Sequence, residues 1–282
     1  MGRSEFIRVP SPAPRIITAF AIFAPFIVAC VLLAFSIITR AGASHQFTAR
    51  YRWRHRSTER PPMRSVIFDL DGTLADTSGD LIAAANACFR DLGLGDMLDP
   101  ATDAATALCG GRAMLRLGFS RLQGIDEAEV DRQYPLLLAA YAQAIDIHTV
   151  LYPGAMEAVM ALKSSGYAVG IATNKPAALA ETLMRSLGVR DHFASLIGAD
   201  TLKVRKPDPA HHIEAVLRAG GDPAQSLLVG DTITDRDTAR NAGVPSVLVT
   251  FGPGRDSVLA LEADATIDDF ADLPAVVARL IG

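Results

Sequence analysis

From Met63 onward the chain alternates short apolar runs with segments of helical spacing, and this alternation constrains the fold more than any other feature. Candidate strands are Ser65–Asp69, Ala168–Thr173, Ser226–Asp231, Pro245–Thr250 and Ala265–Ile267. Candidate helices cover Gly154–Ser165, Ala177–Leu187, Pro209–Ala219, Asp235–Ala242 and Leu273–Ile281, each between strands or closing the chain. Strand–helix–strand order predicts an α/β fold with a Rossmann-like parallel sheet, whose ligands gather at the carboxyl ends of the strands.

Between the first two strands lies a stretch without strand signal, residues 80–149. Leu81, Ile82, Ala85, Cys88, Phe89 and Leu92 recur at helical spacing, as do Val130, Tyr134, Leu137, Leu138, Tyr141 and Ile145. Pro135 is expected early in its helix or at a kink. Residues 63–79 and 150–282 then form a core, and 80–149 a helical cap over the carboxyl edge of the sheet.

Two acidic clusters follow apolar strands. Phe68-Asp69-Leu70-Asp71-Gly72-Thr73-Leu74 places two carboxylates one residue apart, with a glycine to turn the chain behind them. Val229-Gly230-Asp231-Thr232-Ile233-Thr234-Asp235 sets Asp231 at a strand end and Asp235 one helical turn further on. Two such clusters at one sheet edge make an oxygen-lined site for a hard cation, Mg²⁺ rather than Zn²⁺. Between them come Thr173-Asn174-Lys175-Pro176 and Lys206-Pro207-Asp208-Pro209. Hydroxyl and amide donors, a lysine and a divalent cation around carboxylates suit a phosphoryl group, whose oxygens need their charge neutralised.

In this order, DLDGTL, a strand ending in TN, the lysine of KPDP, and GDTITD resemble the four motifs of the haloacid dehalogenase-like superfamily. The resemblance covers Met63–Gly282. TNKP, the LYPG of Leu151–Gly154 and the helical insert are similar to the phosphoglycolate phosphatase branch with its small helical cap. The resemblance implies that Asp69 is the nucleophile, forming an aspartyl-phosphate, and that Asp71 protonates the leaving oxygen and then activates water. It implies that Thr173 and Asn174 hold phosphate oxygens and that Lys206 neutralises charge. Asp69, Asp231 and the Asp71 carbonyl would bind Mg²⁺, with Asp235 a further ligand or an orienter. A dehalogenase would lack Asp71, so its presence favours phosphoester chemistry. The expected substrate is a small phosphomonoester, 2-phosphoglycolate first; a sugar phosphatase, pyrophosphatase or phosphomutase is the alternative within the superfamily. A membrane-tethered, non-catalytic binding module is the alternative from another class.

Weaker signals have two readings each. Arg112, after Gly110-Gly111 in the cap, is either a clamp for a substrate carboxylate or a surface arginine. His211 and His212 sit near a helix start without metal-ligand spacing and read as a solvated helix face. His148 reads as hinge structure, and Gly252-Pro253-Gly254 as a loop at the edge of the site. Lys175 and Arg205 flank motif residues and either add positive potential or are exposed. Cys30, Cys88 and Cys109 form no CxxC pair and read as buried free thiols.

The net charge of −4 conceals a division. Residues 1–62 hold nine of the 27 basic side chains, all arginine, and two of the 31 acidic ones. The other 220 residues therefore carry 18 basic and 29 acidic side chains, which excludes a nucleic-acid-binding body. Ile16–Thr39 is an uncharged run of 24 residues, about 36 Å as a helix and long enough to span a bilayer. Arginines dominate its carboxyl flank, placing the rest of the chain in the cytoplasm if the run is an anchor. Ala41-Gly42-Ala43 mimics a signal-peptidase site, but the run exceeds a usual signal core and Arg40 sits beside it. Residues 1–62 are otherwise upstream sequence before a natural start at Met63. Both readings, anchor and mis-assigned start, stand.

Overall fold

The computed structural model describes residues 63–122 and 127–282. The candidate anchor at 16–39, the arginine-rich segment after it and Cys30 lie outside the described residues. Among the described residues no helix is long and apolar enough to cross a membrane.

Strand β1, Met63–Phe68, leads through β2, Ala75–Asp76, into four helices: α1 Ser78–Asp91, α2 Pro100–Ala107, α3 Gly111–Ser120 and α4 Glu127–Gln143. Strand β3, Val150–Leu151, pairs antiparallel with β2 and returns the chain to the sheet. There follow α5 Ala155–Ser164, β4 Ala168–Ala172, α6 Ala177–Ser186, β5 Ser195–Ile197 and α7 Pro209–Arg218. The chain closes with β6 Gly221–Gly230, α8 Ile233–Ala242, β7 Ser246–Val249, α9 Arg255–Leu259, β8 Ala265–Ile267 and α10 Leu273–Ile281.

The six-stranded sheet has the order β5-β4-β1-β6-β7-β8 and is parallel throughout. Its central strands are buried on both faces, as the near-continuous apolar runs of a parallel sheet require. Alternation along β1 divides the core. Val66 and Phe68 face one cluster, with α5, α6, α10 and the four inserted helices, while Ile67 faces a smaller one with Ala215 and Val216 of α7 and Ala239 of α8. From β1 the chain moves outward to β4 and β5, then crosses back to β6, β7 and β8. The carboxyl ends of β1, β4 and β6 therefore meet at a switch in strand order, where open α/β sheets place their ligands.

Several elements depart from the sequence expectation. β5 spans three residues after a 3₁₀ turn at Arg190–His192, too short to register as an apolar run. β6 begins at Gly221 rather than Ser226, because Gly221 pairs with Met63 across a register shift, although only Ser226–Gly230 are fully buried. α8 begins at Ile233, two residues early: Asp235 lies in its first turn and reaches back to the Thr232 amide at 3.1 Å. Pro135 lies in the middle of α4, where its missing N–H leaves the Asp131 carbonyl without a helical donor. His211 and His212 are fully buried rather than solvated. Their Nε2 atoms lie 3.1 Å from the Gly198 carbonyl and 2.9 Å from the Ser226 hydroxyl, pinning α7 to the sheet. Cys88 is buried as expected, whereas Cys109 is exposed.

The helical insert is fastened at its two crossings. The buried Asp80 carboxylate on α1 accepts hydrogen bonds from the His148 amide and from the Thr149 amide and hydroxyl, at 2.8–3.0 Å. His148 thus contributes its backbone to the junction. Nothing in the pattern of Asp80 marked this role: an acid in the first turn of a helix is explained by the helix dipole alone.

Candidate active site

Asp69 follows the last residue of β1, and its amide donates to the Val229 carbonyl at 2.8 Å, so the carboxylate is fixed by the sheet itself. Its Oδ1 accepts from the Leu70 amide at 2.7 Å and lies 2.9 Å from the Lys206 ammonium. Oδ2 makes no hydrogen bond among the described residues. Burial pushes the Asp69 carboxyl up to about 6; Lys206 opposes this, and Asp235 and Asp71 add to it. The chain then turns tightly. The Leu70 carbonyl accepts from the amides of Thr73, Leu74 and Ala75, and Gly72 adopts φ +81°. A Cβ there would lie 2.3 Å from Asp231 Oδ2, so only glycine permits the two acidic loops to approach.

Asp231, at the end of β6, is buried; its Oδ1 accepts from the Thr73 hydroxyl at 2.8 Å. Its Oδ2 is buried with no hydrogen-bond partner. Burial, with the charges of Asp235 and Asp69, holds this carboxyl well above the usual range. One oxygen from each of Asp69, Asp231 and Asp235 lies within 4.8 Å of the others. A buried, unpartnered carboxylate oxygen among further carboxylates is costly unless a cation meets it, and an all-oxygen set fits Mg²⁺.

Asp235 is engaged at both oxygens. Oδ1 accepts from Lys206 Nζ at 2.6 Å, while Oδ2 accepts from the Thr232 hydroxyl at 2.6 Å and from the amides of Thr232 and Asp231. These bonds suit it to orienting Lys206 and the loop rather than to ligating. Lys206 is itself buried between two aspartates. Burial lowers its pKa, but Asp235 and Asp69 outweigh that and hold the ammonium protonated. Asn174 is exposed, and its Nδ2 donates to the Lys206 carbonyl at 3.1 Å, tying the loop after β4 to the lysine loop. Thr173, at the end of β4, is buried, and its hydroxyl accepts from the Lys175 amide at 3.2 Å.

Asp71 accepts from the Thr77 hydroxyl at 2.7 Å and from Lys175 Nζ at 2.8 Å. Lys175 is buried, with its ammonium 4.4 Å from the centroid of the Tyr141 ring on α4. Burial lowers its pKa, but Asp71 and Tyr141 outweigh that and raise it. Of the two cations flanking the motifs, Lys175 is therefore buried within the site, while Arg205 is exposed and lines the wall of the cavity above it. Thr77 and Tyr141 were not distinguishable in the sequence from a helix start and a core aromatic.

A cavity of about 410 Å³ opens over these groups. Asp69, Asp71, Thr173, Asn174, Lys175 and Lys206 line it from the sheet, and Arg112, Tyr134 and Tyr141 from the inserted helices. Arg112 reaches the cavity wall, but its guanidinium pairs with Asp131 and lies 4.6 Å from the Tyr134 ring centroid. Cys109 also lies on this wall.

Residues 66–249 match the family described as haloacid dehalogenase-like hydrolase. A phosphoglycolate phosphatase of Agrobacterium fabrum is 39% identical over 79% of this chain and 97% of its own length. One of Mesorhizobium japonicum is 40% identical over 77% and 96%. The crystal structure of a predicted phosphoglycolate phosphatase from Haemophilus somnus superimposes with a TM-score of 0.67 at 26% identity, covering 76% of this chain and 97% of that one. With the family match spanning the sheet from β1 to β7, and these relatives covered almost end to end, the chain belongs to the haloacid dehalogenase-like hydrolases.

Proposed function

We propose that this chain is a Mg²⁺-dependent phosphatase that hydrolyses a small phosphomonoester, 2-phosphoglycolate foremost, through a phosphoryl group carried transiently on Asp69. That it is a phosphoric monoester hydrolase follows from its relatives. The observation that carries the finer reading is Asp69, fixed at a strand end with one oxygen on Lys206 and the other without a donor, beside the unpartnered Asp231 oxygen.

In this reading Asp69 Oδ2 attacks phosphorus, and the bond from phosphorus to the leaving oxygen breaks. A carboxylate nucleophile divides one hard displacement into two easier ones. Asp71 donates a proton to the leaving oxygen, then accepts one from the water that attacks the phosphorylated Asp69. Lys206 offsets charge on Asp69 and the phosphoryl oxygens, and Asp235 holds Lys206 in place. Thr173 and Asn174 border the phosphoryl position. Asp69 and Asp231, with the Asp71 carbonyl, would hold Mg²⁺, and the bound ion would neutralise charge on the phosphoryl oxygens. The four inserted helices, residues 80–149, serve as a cap that bounds the substrate; Arg112 supplies positive charge on that wall. The choice of 2-phosphoglycolate rests on the names of the relatives, and the modest volume of the cavity agrees with a small substrate.

A panel of small phosphomonoesters, assayed for phosphate release with Mg²⁺ and with excess chelator, tests the reading. Highest kcat/KM for 2-phosphoglycolate and loss of turnover on chelation are expected. A preference for sugar phosphates or pyrophosphate would reassign the substrate, and undiminished turnover in chelator would remove the cation from the account.

A further inference from the structure

We infer that Lys175 is a positioning residue that confines the transferable proton of Asp71 to one carboxylate oxygen. The inference rests on the reading of Asp71 as the proton donor. Two donors converge on Asp71 Oδ1: Lys175 Nζ at 2.8 Å and the Thr77 hydroxyl at 2.7 Å. Asp71 Oδ2 makes no hydrogen bond among the described residues. A proton on Oδ1 would face an ammonium and displace a hydroxyl donor, so the acid form carries its proton on Oδ2. In the first half-reaction the Oδ2–H bond breaks and its proton goes to the leaving oxygen as the phosphorus–oxygen bond breaks. In the second, Oδ2 takes a proton from the attacking water, restoring the starting acid.

Lys175 is built to hold one position. Its amide donates to the Thr173 hydroxyl at 3.2 Å, and its carbonyl accepts from the Ala199 amide at 2.9 Å. Its side chain is 4% exposed, and the buried ring of Tyr141 lies against the ammonium. These contacts tie three parts of the molecule together: the loop after β4, the acidic turn after β1, and helix α4 of the insert. A surface lysine adding only diffuse positive potential would need none of them. A lysine reserved for a substrate carboxylate would not be committed to Asp71.

The leaving group separates this role from the others. An alkoxide must be protonated as it departs, whereas p-nitrophenolate departs without help. Ethyl phosphate, which has no carboxylate, and p-nitrophenyl phosphate are therefore the two probes, used on the full chain with Mg²⁺. Lys175→Met is expected to lower kcat/KM for ethyl phosphate by about 100-fold, the range a positioned general acid contributes, and kcat/KM for p-nitrophenyl phosphate by less than about fivefold; kcat/KM is the readout because it covers phosphorylation of Asp69 and not the later attack of water, which is common to both probes. Asp71→Asn should show the same selectivity, and Thr77→Val a weaker form of it. Equal losses on both probes would overturn the inference, as would a loss confined to KM for carboxylate-bearing substrates. Wild-type protein inactive on every phosphomonoester would instead defeat the functional reading on which it depends. If Lys175→Met melts far below wild type, Thr77→Val carries the comparison: it removes the second donor to the same oxygen and leaves the buried charges paired.

Discussion

Replacing Lys206 by methionine keeps the length of the side chain and removes its charge. In the native protein this ammonium lies 2.9 Å from Asp69 and 2.6 Å from Asp235, with a side chain 1% exposed. Its loss leaves three neighbouring buried carboxylates, Asp69, Asp231 and Asp235, without their cation. Breaking a buried pair in this way costs about 3–5 kcal/mol, because the surviving charge stays desolvated. For a domain of this size that corresponds to a fall of about 6–20 °C in Tm. Thermal unfolding of chelator-treated protein, followed by circular dichroism, measures it. Two further results are expected from the same cause. Lys206→Met/Asp235→Asn should regain much of the loss, since one of the stranded charges is gone, giving a coupling well above the roughly 0.5 kcal/mol of independent sites. Added Mg²⁺ should raise the Tm of Lys206→Met more than that of wild type, because the cluster is then more negative. A Tm within about 2 °C of wild type, or strictly additive single and double variants, would refute the electrostatic account of this lysine.

Two other outcomes follow from the geometry. Gly72→Ala forces a Cβ onto φ +81° and to within 2.3 Å of Asp231 Oδ2, so the acidic loops must separate. The protein should remain folded at a cost of about 1–2 kcal/mol, while the Mg²⁺ concentration giving half-maximal activity rises at least about tenfold; an unchanged Mg²⁺ titration would contradict the close approach. Burial holds His212 at about 4, below its value near 6.5 in an unfolded chain, so the folded protein keeps the ring neutral. The unfolded chain therefore takes up the proton first as pH falls. The contribution is complete above about pH 6.5 and is lost towards pH 4, about 2 kcal/mol of it between pH 7 and 5. Denaturant melts should show that slope in wild type and a shallower one in His212→Gln, and equal slopes would refute it.

The sheet and its acidic edge were legible because both rest on local signals. Apolar runs of three or more residues announce β1, β4, β6 and β7, and an aspartate after such a run sits at a strand end whatever the tertiary packing. The three-residue β5 and the pairing of Gly221 with Met63 depend on partners far away in the chain, and left no pattern. The same distinction runs through the site. Asp69, Asp71, Lys206, Asp231 and Asp235 were read from motifs, and the structure places them around one cavity or directly beneath it. The two histidines of α7 were misread because burial of a polar ring depends on the acceptors across from it, here the Gly198 carbonyl and Ser226, which spacing does not reveal. Lys175 and Tyr141, separated by two strands and a helix, meet only once the insert folds over the sheet.

The central claim is that Asp69 carries the phosphoryl group. It is tested most directly by acid-quenching the enzyme during turnover of 2-phosphoglycolate with Mg²⁺ and mapping the peptides by mass spectrometry. The account predicts a phosphorylated peptide containing Asp69 in wild type, accumulating in Asp71→Asn if dephosphorylation is slowed more than phosphorylation, and absent from Asp69→Asn, which should not turn over. Turnover by Asp69→Asn at a rate near wild type, or a phosphoryl group trapped on a different residue, would contradict it.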